Sequence, residues 1–262
     1  MHTKTLSIIT VNKNNADGLE KTCQSVAWQT FENFEWIVID GASNDNSVDI
    51  IKKYAYKMAH WISEPDTGIY NAMNKGIKLA KGDYCLFLNS GDWLFSPDAL
   101  KEAFDIIKDL DDADVYYGDC LNSDFTISKM PERLSIDHLY TQSSLSHQNT
   151  FINRSLFYDH GFYDENFPTV SDSIFFVKEF LVYRSKFIHI KTIISVYNIG
   201  GISSVYKYAR KELHGQIKNV MGPLKFFLLT MRIKCSNNII INIIKYFIPY
   251  GIVRYFQKYI QK

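Results

Sequence analysis

The feature that most constrains this chain is an alternation packed between Leu6 and Leu88. Leu6-Ser7-Ile8-Ile9-Thr10-Val11 is short, apolar and rich in β-branched residues, the pattern of a strand buried on both faces. A polar turn follows at Asn12-Lys13-Asn14-Asn15-Ala16-Asp17-Gly18, then a helical stretch over about Leu19–Gln29 with Leu19, Cys23, Val26 and Ala27 on one face. Phe34–Ile39 repeats the strand pattern and runs into Asp40-Gly41-Ala42-Ser43-Asn44-Asp45-Asn46, a dense loop of turn and capping residues. A helix over 48–56, a short strand over 59–63, a helix over 69–80 and the apolar run Tyr84–Leu88 complete a β-α-β-α-β-α-β order. Such alternation predicts an α/β fold: a Rossmann-like, mostly parallel central sheet with helices on both faces and right-handed crossovers. Ligands bind such sheets outside the carboxyl ends of the strands. The loops 12–18, 40–46 and 89–92 fall at those ends, so they are predicted to converge on one crevice.

Beyond Asp92 the order changes. A helix is expected over 97–110, opened by Pro97 and Asp98, then strands over 115–120 and 125–129 around Asn122-Ser123-Asp124. Further strands are expected over 147–153, 187–190 and 193–198, with helices over 155–159 and 171–181. This organisation suggests one domain over 1–203, made of halves 1–95 and 96–203, and a helical appendage over 204–262. Charge divides the chain the same way. Residues 1–203 carry 18 Lys+Arg against 27 Asp+Glu, whereas 204–262 carry 11 against one. In the tail, basic residues interleave with Phe226, Phe227, Leu228, Leu229, Phe247 and Tyr255, the pattern of an interfacial helix that meets anionic headgroups. A helical lid or a dimer interface is the alternative. Nucleic acid is not expected, because the acidic half would repel phosphates. Four scattered cysteines, no N-terminal leader and no apolar run of about 18 residues point to a cytoplasmic protein peripheral to the inner face of the membrane. Oligomeric state is not legible.

No G-x-G-x-x-G follows the first strand and no phosphate-binding P-loop is present, so a nucleotide would be held by carboxylates and a cation. Asp92, ending Asn89-Ser90-Gly91-Asp92, is the best-placed ligand for Mg²⁺ or Mn²⁺, which prefer carboxylate and phosphate oxygens. Its alternative role is to cap the turn into the helix that Pro97 opens.

Six stretches carry a family resemblance: Ser7–Val11 with Asn14; Gln24-Ser25-Val26 with Gln29-Thr30-Phe31; Phe34–Gly41; Asp66-Thr67-Gly68-Ile69-Tyr70-Asn71-Ala72-Met73-Asn74-Lys75-Gly76; Ala80–Tyr84; and His147-Gln148-Asn149-Thr150-Phe151. Together they make residues 5 to about 200 resemble family 2 glycosyltransferases of the GT-A fold, and in particular bacterial enzymes of exopolysaccharide, colanic-acid-like and O-antigen assembly. The resemblance implies a nucleotide-sugar donor in the first half and an acceptor in the second. It places Asp40 and Ser43 near base and ribose, Val11 and Lys13 beside the base, and Asp66, Asn74 and Lys75 near ribose and diphosphate. The usual Asp-x-Asp is here Asn89-Ser90-Gly91-Asp92, which leaves one firm carboxylate and a cation that is expected to bind weakly. The usual Asp-Asp-Gly-Ser is Asp40-Gly41-Ala42-Ser43, which leaves the choice of base open.

Inverting transfer needs one general base, expected where a helix of the second half opens toward the crevice. Asp172, in Val170-Ser171-Asp172-Ser173-Ile174-Phe175-Phe176, matches the family's base; Asp164 and Glu165 are weaker candidates. His147 and Gln148 are expected to begin a strand facing the acceptor, and Gly200-Gly201-Ile202-Ser203-Ser204 to form a loop folding over the donor. The expected function is inverting transfer from a nucleotide-sugar, a UDP-sugar in the first instance, to a glycan or polyprenyl-diphosphate-linked acceptor in bacterial surface polysaccharide synthesis. The rival readings are a nucleotidyltransferase acting on sugar phosphates and a catalytically weakened glycan-assembly scaffold.

Overall fold

The structure, a computed structural model, describes residues 5–141, 145–199 and 209–237. In chain order its elements are β1 (Leu6–Asn12), α1 (Ala16–Ala27), β2 (Phe34–Asp40), α2 (Ser47–Tyr54), β3 (His60–Ser63), α3 (Ile69–Leu79), β4 (Tyr84–Phe87), β5 (Trp93–Leu94) and α4 (Ala99–Ile107). They continue as β6 (Val115–Asn122), β7 (Ile127–Ser128), α5 (Ile136–Thr141), β8 (Thr150–Asn153), α6 (Ser155–Asp159), α7 (Ser171–Lys178), β9 (Phe187–Tyr197), α8 (Ala209–Met221) and α9 (Pro223–Asn237). The strands form a sheet in the order β3-β2-β1-β4-β8-β6-β9-β5, with β7 added beside β6.

The first half is parallel, as the alternation predicts: β1 pairs in parallel with β2 and β4, and β2 with β3. Every residue of β1 is buried, because helices cover both of its faces. Leu19, Cys23 and Val26 of α1 pack into the same core as Trp36, Leu86 and Leu100. Trp36 satisfies its buried indole by donating to Thr10 Oγ1 at 3.1 Å. The second half is mixed: β8 runs antiparallel to β4 and β6, whereas β9 runs parallel to β6.

Several local expectations shift. The segment 147–153 is not one strand, because His147–Asn149 form a 3₁₀ turn before β8. The two strands expected over 187–198 are the single strand β9. Register slips between β6 and β9 around Gly118, where an added Cβ would stand 2.7 Å from the Thr192 carbonyl oxygen, so the polar Lys191-Thr192 step is absorbed without ending the strand. The helix expected to reach 181 leaves α-geometry at Lys178 and finishes as a π-turn over Glu179–Tyr183. There the buried Glu179 carboxylate takes hydrogen bonds from His160 and Ser185. β5 and α5 are too short to leave a periodic signal.

The described residues up to Gln216 form one compact unit and those from Ile217 a second. The boundary expected at 203/204, the loop Gly200–Ser204 and the tail beyond Asn237 lie outside the described residues. Gly222, in the left-handed region at φ +80°, ends α8, and Pro223 opens α9. Among the described residues no helix is long and apolar enough to cross a membrane.

Candidate functional site

The loops after β1, β2 and β4 meet at the carboxyl ends of the strands. Asn12 and Asp40 are register partners, and Asn12 Nδ2 donates to Asp40 Oδ1 at 2.7 Å. The fully buried Asp40 carboxylate also accepts from Ser43 Oγ at 2.5 Å, Ser43 N–H at 2.9 Å and Ser63 Oγ at 2.7 Å. Burial pushes this carboxyl up, but the Ser43, Ser63 and Asn12 hydrogen bonds outweigh it and hold the group below its ordinary range. Its lone pairs are spent tying the ends of β1, β2 and β3 together. Ser43 Oγ further accepts the Asn14 N–H at 2.8 Å, so Asp40 and Ser43 build the loop's shape.

Gly41 has a reason beyond flexibility. A Cβ there would lie 2.3 Å from Asp66 Oδ2 and 3.2 Å from Lys13 Cδ. The Asp66 carboxylate therefore fills the space that an acid at position 41 would need. Asp66 Oδ1 accepts the Gly68 N–H at 3.1 Å and lies 3.9 Å from Lys13 Nζ. Val11, beneath this corner, is buried, and its carbonyl accepts the Ser90 N–H at 3.0 Å.

Asn74 and Lys75 are engaged by the protein. Asn74 Nδ2 donates to the Tyr163 carbonyl at 2.9 Å and to Glu165 Oε1 at 3.0 Å, and its oxygen accepts the Tyr163 N–H at 3.1 Å. Lys75 Nζ pairs with Glu64 at 2.7 Å and donates to the Pro65 carbonyl at 2.9 Å. Glu165 gathers Asn74, Asn71 and Thr67, whose hydrogen bonds hold its carboxyl low, and so clamps α3 to the turn before α7.

The Asn89–Asp92 loop is cut to fit α1. Gly91 sits at φ +106°, where an L side chain is strained. Its N–H donates to Thr22 Oγ1 at 3.0 Å, and that hydroxyl donates to the Asp92 carbonyl at 2.6 Å. Asn15 Nδ2 holds the Ser90 carbonyl at 2.9 Å. Asp92 is 5 % exposed and accepts only the Asn198 N–H, at 2.9 Å on Oδ1, among the described residues. Burial raises its carboxyl to about 6, against the lowering pull of that N–H and of His147.

The second carboxylate is Asp172, in the first turn of α7. Its Oδ1 accepts from Tyr70 Oη at 2.8 Å, and its Oδ2 lies 2.9 Å from His147 Nδ1. Burial again pushes upward, but the hydrogen bond and charge of His147, then Tyr70 and the Ser173 N–H, prevail and hold Asp172 below its ordinary range. Tyr70 is driven well above the ordinary phenol by burial and by the Asp172 charge, so it stays a donor. His147 Nε2 lies 3.0 Å from Asn89 Nδ2. A proton on Nδ1 donates to the Asp172 carboxylate, and Nε2 stands beside the Asn89 amide. The 3₁₀ turn thus aims His147 inward, while its neighbour Gln148 is 2 % exposed. The result is a continuous line Tyr70–Asp172–His147–Asn89 that joins the Asp172 side of the crevice to the loop carrying Asp92.

As a cation site, the loop offers the Asp92 carboxylate, with Oδ2 taking no protein hydrogen bond among the described residues, and the buried, unpartnered Asn89 Oδ1. Both are hard oxygens of the kind Mg²⁺ and Mn²⁺ take. No group of three or more His, Cys, Asp or Glu able to hold a metal occurs among the described residues, so further ligands would come from a diphosphate and water.

The family described as Glycosyl transferase family 2 matches residues 7–175, a span that contains both carboxylates and the line between them. This chain belongs to glycosyltransferase family 2. An uncharacterised glycosyltransferase of Mycobacterium tuberculosis is 31% identical over 204 residues, covering 76% of this chain and 77% of its own. A PGL/p-HBAD biosynthesis glycosyltransferase of Mycobacterium bovis is 30% identical, covering 76% and 78%. Among solved structures, S. aureus TarS 1-349 in complex with UDP superposes with a TM-score of 0.65 at 20% identity. That match covers 83% of this chain and 65% of that one, so this chain spans somewhat less than two thirds of it. Glucosyl-3-phosphoglycerate synthase from Mycobacterium tuberculosis, in complex with Mn²⁺ and UDP, matches at a TM-score of 0.60 and 14% identity, covering 84% and 80%. These structures establish the GT-A fold for this glycosyltransferase. In the sequence Tyr70 stands within a motif with no role assigned to it, Asn12 stands only as a loop residue, and Thr22 and Asn198 carry no signal. Tyr70's one signal is an aromatic in the first turn of a helix that starts at a crevice loop.

Proposed function

We propose that this glycosyltransferase performs single-displacement, inverting transfer from a UDP-sugar to a hydroxyl of a glycan or lipid-linked acceptor. The observation that carries the reading is Asp172, a buried carboxylate kept ionised by Tyr70 and His147 and linked through Asn89 to the Asp92 loop. In the transfer, the acceptor hydroxyl gives its proton to Asp172 while its oxygen bonds to the sugar's anomeric carbon. The bond from that carbon to the diphosphate breaks on the opposite face, and its electron pair leaves with the nucleoside diphosphate. Tyr70 and His147 hold the carboxylate oriented for that proton. A divalent cation, held by Asp92 with a contribution from Asn89, would neutralise charge on the departing diphosphate. Val11, Lys13 and Asp66 frame the base side of the crevice, with Asp40 and Ser43 shaping the loop that faces it.

The choice of UDP follows the ligands of TarS and the glucosyl-3-phosphoglycerate synthase. The lipid-linked acceptor draws on α9, where Leu224 and Phe227 are 68 % and 56 % exposed on either side of Lys225. Exposed apolar side chains beside a cation are the groups that would meet the inner face of the membrane. The deciding experiment incubates the protein with Mn²⁺, a nucleotide-sugar panel and a membrane extract, and follows nucleoside diphosphate release. UDP release that Asp172→Asn reduces by about 10²–10⁴-fold supports the reading. Pyrophosphate release, or full activity in Asp172→Asn, overturns it.

A further inference from the structure

Outside the nucleotide crevice, α1 and the segment leaving β5 line an open concavity of about 260 Å³. Leu94, 2 % exposed, forms its floor. Trp93, Trp28 and Phe95 form its walls, with Trp28 and Phe95 64 % and 43 % exposed. Large aromatics left open to water around a concavity are a costly arrangement unless something covers them. The walls are pinned in place. Ser25 Oγ accepts the Leu94 N–H at 3.1 Å, Gln29 Nε2 donates to the Ser96 carbonyl at 2.7 Å, and the Thr30 N–H donates to the Pro97 carbonyl at 2.9 Å. Lys21 and Gln24 also line the cavity, and neither side chain makes a hydrogen bond or ion pair among the described residues. The site therefore combines aromatic faces carried on a pinned backbone with polar donors that have no partner among the described residues, and its volume lies just below the usual range of small-ligand pockets, roughly 300–1,000 Å³.

A pyranose ring matches this chemistry. One face of the ring presents polarised C–H bonds, which the negative face of an indole attracts, and its edge presents hydroxyls for an amide and an ammonium. Concavity with a single cation speaks against a membrane-docking surface, which needs protruding apolar groups and several positive charges. We propose that this cavity is an accessory carbohydrate subsite, which holds a pyranose unit of a glycan beside the transfer site. Its place in the fold gives it a purpose. Trp93 follows Asp92 directly, and Thr22, on α1 between the lining residues Lys21 and Gln24, holds the Asp92 and Gly91 backbone. A sugar seated here lies against the same two elements that fix the Asp92 loop, so a glycan chain is gripped at a second point near the reaction. That a sugar is the occupant rests on the glycosyltransferase reading; the cavity's binding is measured without turnover.

The test is saturation-transfer NMR on the full chain with methyl glycosides of glucose, galactose, mannose and N-acetylglucosamine, and with maltotriose and chitotriose. At least one probe is expected to bind the wild type, with Trp28→Ala weakening it about fivefold to tenfold and Gln24→Ala by a smaller factor. UDP with Mn²⁺ should leave the signal in place. Trp28 is largely exposed, so an unchanged melting temperature confirms that the variant is folded. Four outcomes overturn the proposal: no probe binds, both variants bind as the wild type does, UDP displaces the sugar, or Trp28→Ala instead abolishes self-association or vesicle binding. Sugar binding without UDP release in the donor panel would uphold the subsite and sink the proposed reaction, so the two fail separately.

Discussion

The Asp92 carboxylate stands at odds with the stability of the fold that carries it. In the structure its carboxyl is raised from 3.8 to about 6 by burial. A folded-state value above the ordinary one means that the fold prefers the protonated acid. That preference is complete below pH 3.8 and is lost as pH rises through about 6. Two pH units at about 1.4 kcal/mol each make the ionised form cost up to about 3 kcal/mol at neutral pH. Asp92→Asn keeps an oxygen for the Asn198 N–H and removes the buried charge. In protein treated with EDTA, the variant should therefore be more stable than the wild type at pH 8, by up to about 3 kcal/mol, or roughly 6–12 °C in melting temperature. At pH 4.5, where Asp92 is protonated in the fold but still partly ionised in the unfolded chain, the gap should narrow to about 1 kcal/mol. Thermal unfolding followed from pH 4.5 to 8 for both proteins reads this directly. Adding Mn²⁺ and UDP should reverse the order, stabilising the wild type and leaving the variant behind. If Asp92→Asn lowers the melting temperature equally at pH 4.5 and pH 8, the acid is a structural cap and the reasoning fails.

Three further outcomes follow from the same geometry. Tyr70→Phe removes a hydrogen bond to a buried carboxylate, worth about 1.5–3 kcal/mol. Because that bond lowers the Asp172 value, its loss should move the acidic limb of the kcat/KM–pH profile upward and reduce kcat, with donor KM unchanged. Gly41→Ala places a methyl 2.3 Å from Asp66 Oδ2. It should cost about 1–3 kcal/mol in chemical denaturation and weaken the thermal shift given by UDP, because Asp66 or the loop must move. EDTA should suppress transfer at sub-millimolar Mn²⁺ and excess Mn²⁺ restore it, as a single protein carboxylate implies weak retention; activity indifferent to EDTA would remove Asp92 from that role.

The first half of the fold is legible because its signals are local. Strands buried on both faces must be continuous apolar runs, and the loops between such strands and their helices must carry turn residues, so Leu6–Val11, Phe34–Ile39 and Tyr84–Leu88 could be read without tertiary information. β5, the 3₁₀ turn at His147 and the π-turn after Lys178 were not, since two to five residues hold about one period and never repeat it. Asp92 and Asp172 could be singled out by position and motif. Which atoms they meet was hidden, because Tyr70 and Asp172 are 102 residues apart and Asn89 and His147 are 58 apart.

What the sequence determined alone was the α/β order, the crevice at the strand ends and the residue types available for a cation and a base. Only the tertiary structure decided how those residues divide the work. Asp40 and Asn74 keep to the protein's own hydrogen bonds, whereas Asp92 keeps an oxygen clear of hydrogen bonds from the described residues. The two key carboxylates are both buried, yet Asp92 is pushed up and Asp172 held down. The cause is the number and charge of the donors around each carboxylate, and donors from α3, the β4 loop and the turn before β8 become neighbours only once the chain has folded.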